Sequence, residues 1–256
     1  MLIDTHAHLD MPEFDKDRDE VVKRAQEGGI DYIITVGIDL DSCRSAMQLA
    51  DEFAFVYAIV GIHPHNAKDV DEKSYDLLRE YARHEKVRAL GEMGLDFFRN
   101  HSPREVQLKR FREQVALARE VHLPAVIHDR DAHRETLAIL KEEKASDVGG
   151  VIHCFSGDYA MASACMVMGF YISIPGTITF NKAQTLQEVV RRIPLERVLI
   201  ETDCPFLAPV PFRGKRNEPA YVQYVARAIA EIKKLSFESV AAITSENARS
   251  VFGIPV

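Results

Sequence analysis

Short apolar runs rich in β-branched residues recur through this chain at intervals of roughly 20–37 residues, and nothing else in the sequence restricts its fold as much. They are Leu2–Thr5, Tyr32–Val36, Val56–Val60, Val87–Leu90, Ala125–Ile127, Val151–Ile152, Phe170–Ile174 and Val198–Ile200. The stretches between them are amphipathic and carry helix punctuation. Gly28-Gly29 follows Val21–Glu27, and Ser102-Pro103 precedes a long predicted helix, Arg104–Val121, as N-cap and first helical residue. Asp158 is placed to cap the sixth helix and Gly169 to close it. A proline-rich loop, Pro205 to Pro219, follows the eighth run and leads into two helices, about Ala220–Lys234 and Phe237–Val251. Eight strand-helix repeats in 256 residues predict an α/β protein built as one closed (β/α)8 TIM barrel rather than an open doubly wound sheet.

A chain this long buries a large core, and 46% hydrophobic with 28% charged residues excludes disorder, collagen and a disulfide scaffold. Cys43, Cys154, Cys165 and Cys204 lie far apart without CxxC spacing, so reduced thiols are expected. No apolar run approaches the ~18–20 residues of a membrane span, and the opening residues lack the pattern of a secretory signal, so a cytoplasmic location is expected. A formal charge of −7 argues against a general nucleic-acid coat but leaves room for a local basic pocket.

The chemistry lies in what each strand runs into. The first ends in Asp4-Thr5-His6-Ala7-His8, the third in Gly61-Ile62-His63-Pro64-His65 and the fourth in Gly91-Glu92-Met93-Gly94-Leu95-Asp96. The fifth ends in His128-Asp129-Arg130-Asp131, the sixth in His153-Cys154-Phe155-Ser156-Gly157 and the eighth in Glu201-Thr202-Asp203. In a barrel these ends meet at one mouth, where such folds build their sites. His6 and His8 share a strand parity, so both imidazoles leave one face and can hold one metal ion. His128 and His153, on adjacent strands, can hold a second. Glu92 lies between the two pairs and has two oxygens with which to bridge, and Asp203 completes the ring next to strand one. Polar rim residues satisfied by backbone and water are the plainer alternative. So many imidazoles and carboxylates buried together would be costly without a cation.

The segments HAHLD (6–10), GIHPH (61–65), GEMGLDFF (91–98), QVALAREVHLPAVIHDRDA (114–132), HCFSG (153–157), ETDCPFLAP (201–209) and RGKRNEPAYV (213–222) resemble the TatD-family metal-dependent deoxyribonucleases, in order and over nearly the whole chain. The resemblance implies a TIM barrel of the metallo-dependent hydrolase superfamily and a divalent-metal nuclease, usually 3′-to-5′ on single-stranded DNA. It also implies His6, His8, Glu92, His128, His153 and Asp203 as metal ligands, with His63 and Arg130 near the scissile phosphate. Asp129 departs from the pattern, where Ser or Thr is common; strand alternation points it away from the His128 face, toward the barrel wall or a neighbouring arginine. Met93 stands where Ile is common, a swap that conserves volume.

The expected reaction is phosphodiester hydrolysis with two divalent ions (Mg, Mn or Zn) activating a water. Glu92 would bridge them, and Asp203 would take the water's proton or act as a ligand only. Arg130 would clamp the phosphate or pair with Asp129 or Asp131, and His63 would donate a proton or simply make a turn. Arg213, Lys215 and Arg216 form a dense basic cluster after strand eight, a usual phosphate-binding place in barrels, unless they pair with Glu218. Glu201 and Asp4 lie one layer deeper than Asp203 and His6, and Cys154 and Cys204 are expected to pack rather than ligate. The expected partner is single-stranded DNA or another nucleic acid as substrate, no membrane is expected, and the chain is expected to be a monomer or weak oligomer. A carbonyl hydrolase acting on a lactone, amide or aminoacyl ester with the same two metals is the alternative, and a metal-holding scaffold without catalysis is the third.

Overall fold

The computed structural model describes residues 2–255. Eight parallel strands alternate with helices: β1 (Leu2–Ala7), α1 (Arg18–Glu27), β2 (Ile30–Val36), α2 (Leu40–Glu52), β3 (Val56–Val60), α3 (Glu72–Tyr81), β4 (Val87–Asp96) and α4 (Arg104–Val121). Then come β5 (Ala125–Arg130), α5 (His133–Glu142), β6 (Gly150–Ile152), α6 (Tyr159–Val167), β7 (Phe170–Ile174), α7 (Gln184–Arg192), β8 (Val198–Ile200), α8 (Val222–Lys233) and α9 (Phe237–Phe252). The strands pair in sequence order, so the chain folds as the single (β/α)8 barrel that the eight runs predict. No helix among the described residues is long and apolar enough to cross a membrane.

The two buried apolar clusters show how the barrel is filled. The larger lies between the strands and the surrounding helices. The smaller takes buried residues from seven of the strands, among them Ile3, Ile34, Ile59, Ala89, Val126, Val151 and Leu199, has the half-buried Tyr171 of β7 packed against it, and is closed off by Ala248 and Phe252 of α9 and by Ile254 just beyond it. It is therefore the barrel interior, and its members fix which parity of each strand points inward. From Val126, Val151 and Leu199, strict alternation brings His128, His153, Glu201 and Asp203 inward. From Ile3 on β1 and Ala89 on β4, alternation alone would turn His6, His8 and Glu92 outward. Irregular pairing restores them: the register shifts between Asp4 and Ala7 on β1, and between Leu90 and Met93 on β4. Each shift adds a step to its strand and reverses the facing of the residues beyond it.

Gly91 makes the second shift possible. Its φ is +149°, and a Cβ there would lie 2.5 Å from the Val126 carbonyl oxygen. At the other junction the barrel closes through the segment beyond β8. Asp203 N donates to His6 O at 2.9 Å, His8 N donates to Cys204 O at 2.8 Å, and Ala7 bridges Cys204 in parallel. The last and first strands are thus joined by the residues that carry candidate ligands.

Some local expectations are corrected. Pro103, not Ser102, is the N-cap residue of α4, and no side chain caps it. Ser102 Oγ instead donates to His65 O at 2.8 Å and accepts from Lys68 N at 3.1 Å, tying the loop after β3 to α4. Asp158 does cap α6, accepting from Met161 N at 2.9 Å.

Gly91→Ala is expected to lower stability by on the order of 3 kcal/mol, roughly 6–12 °C in Tm, because the methyl group meets backbone and the dihedral disfavours a side chain. Thermal unfolding of the variant checks this; a parental Tm would show that β4 can shift register without a glycine.

Candidate metal centre

Glu92 is the hub of the barrel mouth. Its Oε2 lies 3.2 Å from His6 Nε2 and 3.9 Å from His8 Nε2. Its Oε1 lies 2.7 Å from His128 Nδ1, 2.9 Å from His153 Nε2 and 3.4 Å from His63 Nε2. Asp203 Oδ1 closes the first side, 3.4 Å from His8 Nε2 and 4.0 Å from His6 Nε2. The cluster therefore has two poles with one carboxylate between them. All six residues proposed as ligands from the sequence converge here, and His63 stands beside them.

The donor atoms suit divalent cations. Among the described residues, both ring nitrogens of His6 are buried without a well-directed hydrogen bond, Nε2 lying 3.2 Å from Glu92 Oε2, so the one lone pair of its neutral ring is left for a cation. Three groups bring their donor atoms within 4.8 Å of one another: His6, His8 and Asp203; His63, Glu92 and His128; and His6, His153 and Glu201. Burial and the neighbouring His153 hold His6 below its ordinary pKa, which leaves its imidazole neutral and able to donate electrons. Burial alone would raise Glu92, but His153 and His63 beside it hold the carboxyl well below the usual range. Burial would likewise lower His8, yet Asp203 carries it up to about 9. In the absence of a cation, protons on the imidazoles balance the acids, and a cation would take their place.

A second layer aims the rings. His8 Nδ1 lies 3.1 Å from Val36 O, so this nitrogen carries the proton and Nε2 faces the cluster. Asp96, not singled out from the sequence beyond its place at the end of β4, lies 3.3 Å from His128 Nε2 and 2.9 Å from His65 Nε2. Glu201 is one layer deeper, as its position predicts. It accepts from Cys154 N at 2.6 Å and from Ser173 Oγ at 2.5 Å, and sits 3.3 Å from His153 Nδ1. Asp4 accepts from Thr202 N at 2.9 Å and Thr202 Oγ1 at 2.5 Å, fastening the barrel seam. Cys204 is buried in the core, whereas Cys154 lines the cavity.

The cluster opens into a cavity of about 830 Å³. Arg130 lines it, its guanidinium 4.2 Å from the Phe98 ring rather than paired with Asp129 or Asp131. Asp129 turns to α5 and not to an arginine: it lies 2.5 Å from His133 Nδ1 and accepts from Thr136 Oγ1 at 2.9 Å. The basic cluster after β8 is placed differently from its expected role. Arg213, Lys215 and Arg216 are absent from the residues lining the cavity. Arg216 holds Asp17 with two hydrogen bonds of 2.7 Å, and Arg213 lies over Phe180 at 4.6 Å. Glu218 pairs with Arg24, not with the cluster. The cations that do line the cavity besides Arg130 are Arg99 and Lys182. Each stands alone in the sequence among neutral neighbours or beyond a strand end, so charge density gives no hint of either.

A model of the family described as TatD related DNase matches residues 3–253. The chain belongs to the TatD family. It is 50% identical to the Bacillus subtilis protein YabD, described as an uncharacterized metal-dependent hydrolase, over 99% of this chain and 100% of that one. It is 38% identical to a protein of Erwinia amylovora named 3'-5' ssDNA/RNA exonuclease TatD, over 99% of this chain and 100% of that one. The crystal structure of YJJV, a TatD homologue from Escherichia coli, superposes with a TM-score of 0.94 at 30% identity and covers 99% of this chain and 98% of its own. The protein is accordingly a metal-dependent hydrolase of the TatD family, with a cluster of His, Glu and Asp residues suited to binding metal.

Glu92→Ala is expected to abolish binding of divalent metal, since it removes the oxygens that face both poles. Elemental analysis after equilibration with Mn or Zn checks this; two ions retained per chain would show that Glu92 does not join the poles.

Proposed function

We propose that this TatD-family protein is a nuclease that hydrolyses single-stranded DNA from the 3′ end, using two divalent ions drawn from Mg, Mn and Zn. The observation that carries the reading is the two-poled cluster facing a cavity that also presents Arg99, Arg130 and Lys182. The family description and the name of the Erwinia relative point the same way. His6, His8 and Asp203 would hold one ion, His128 and His153 the other, with Glu92 shared. Bound there, the ions would activate water and polarise a phosphoryl oxygen.

The two carboxylates differ in exposure, and this separates their roles. The side chain of Glu92 is 3% exposed and that of Asp203 14%, so Asp203 is the one that meets water in the cavity. Burial would raise Asp203, but the His8 hydrogen bond and the neighbouring imidazoles hold its carboxyl below the usual range, ionised and ready to accept the water's proton on a carboxylate oxygen. His63 Nδ1 accepts from His65 N at 3.1 Å, and burial pushes its pKa down to about 4. Its neutral ring therefore carries the proton on Nε2, the nitrogen 3.4 Å from Glu92 Oε1, and in that tautomer it would donate to Glu92 or to a phosphate oxygen. Arg130, steadied on Phe98, and Arg99 would bind the phosphate backbone. Four unpaired cysteines accord with a cytoplasmic site of action.

The deciding assay offers 5′-labelled single-stranded DNA, RNA and carbonyl esters to the protein with Mg, Mn or Zn. Metal-dependent shortening of the DNA supports the nuclease; turnover of esters alone would favour a carbonyl hydrolase. Asp203→Asn should lower kcat by about 10²–10⁴-fold while retaining metal at the His128–His153 pole. Unchanged turnover would remove Asp203 from proton transfer. Arg99→Ala with Arg130→Ala should weaken DNA binding and flatten its salt dependence, the slope falling by about 0.7 for each phosphate the protein no longer neutralises. An unchanged slope would place the strand elsewhere.

A further inference from the structure

Phe206 is 47% exposed at the cavity wall, although the cysteine and proline before it are buried. Large apolar side chains left open on a flexible loop need no explanation, but this one is held firmly. Phe206 N donates to Asp203 O at 2.9 Å. Asn217, fully buried, donates through Nδ2 to Phe206 O at 2.7 Å and to Thr202 O at 2.8 Å, and its backbone N donates to Pro205 O at 3.0 Å. The basic segment around Asn217 is in turn fastened to the rest of the molecule by Arg216 on Asp17. The turn that presents Asp203 to the cluster therefore also fixes an open aromatic ring, its centroid 6.3 Å from that of His8.

The surroundings of that ring differ from those across the mouth. Leu207, next to it in the chain, and Phe180 and Leu186 are further apolar residues of the cavity lining. On the far side, after β4 and at the end of β5, four and three strands away in a ring of eight, Arg99 and Arg130 flank Phe98. A ligand suited to this cavity carries a flat apolar group at one side and an anionic group toward the other, with the metal residues between. One nucleotide unit of a polynucleotide has both.

We propose that Phe206 is the stacking platform for the nucleobase beside the scissile phosphate, and that it selects unpaired strands. The proposal rests on the nuclease reading given above. A paired base is held by its partner strand and cannot turn onto Phe206 without breaking its pair and leaving its stack, whereas an unpaired base can turn freely. Stacking on a ring is tolerant of base identity, so the platform selects for strandedness and not for sequence.

The test compares the parent, Phe206→Ala and Phe206→Tyr on a single-stranded oligonucleotide and on the same strand with abasic residues at its 3′ end. Phe206→Ala should raise KM for the normal strand about 10-fold, with metal content and Tm kept, and Phe206→Tyr should restore most of the affinity. The parent should bind the abasic strand about 10-fold more weakly, and Phe206→Ala should weaken it no further. A parental KM for Phe206→Ala on the normal strand, or an equal weakening on normal and abasic strands, would overturn the platform while leaving the nuclease standing. If the parent shortens neither strand with Mg, Mn or Zn, the nuclease reading fails first, and the platform with it.

Discussion

The seam between β1 and the segment after β8 joins residues about 200 positions apart, and both the barrel and its site depend on it. Closing so long a loop costs entropy, and the contacts at the junction must offset that cost. They come from a compact set. Thr5 Oγ1 donates to Ile200 O at 2.9 Å, Asp4 takes both donors of Thr202, and the backbones of His6 and His8 pair with Asp203 and Cys204. Burial pushes Asp4 up to about 8 even against those hydrogen bonds, so the seam disfavours a further buried charge beside the cluster. Because the pairing backbone and the ligand side chains belong to the same residues, the relative placement of His6, His8 and Asp203 is set by the sheet itself rather than by a mobile loop.

Alternation within a strand is enough to pair His6 with His8, and to place Glu201 one layer below Asp203. It is not enough to say which face of β1 or β4 points inward. That depends on irregular pairing between Asp4 and Ala7 and between Leu90 and Met93, which is a property of two strands together. Gly91 is visible in the sequence, but only its positive φ and its closeness to Val126 show why it precedes Glu92. The fold is legible because hydrophobic spacing is a local signal repeated eight times. The site is legible because its residues follow strand ends, where a barrel must bring them together.

The basic segment after β8 shows where such reasoning stops. Three cations close together suggest a phosphate site, yet their partners are decided by what lies opposite in space. Arg216 meets Asp17, nearly 200 positions earlier, and Asn217 turns inward to hold the Asp203–Phe206 turn. The segment thus holds the geometry of the turn, with Arg216 paired to Asp17 rather than turned to the cavity. Lys182 and Arg99, with no comparable cluster around them, reach the cavity because of the loops that follow β7 and β4.

The composition of the cluster also bears on the kind of substrate it suits. On the proposed reading two divalent ions face only two ionised carboxylates, the other ligands being neutral imidazoles. The ions and their direct ligands then carry a net positive charge, offset in part by Asp96 and Glu201 behind two of the imidazoles and reinforced by Arg99 and Arg130 at the wall. Neutral imidazoles leave more of the ions' charge uncompensated than carboxylates in the same places would, and the low-dielectric barrel mouth strengthens the attraction of an anion to it. On that reading a protein with a formal charge of −7 can still hold a phosphodiester at this one place.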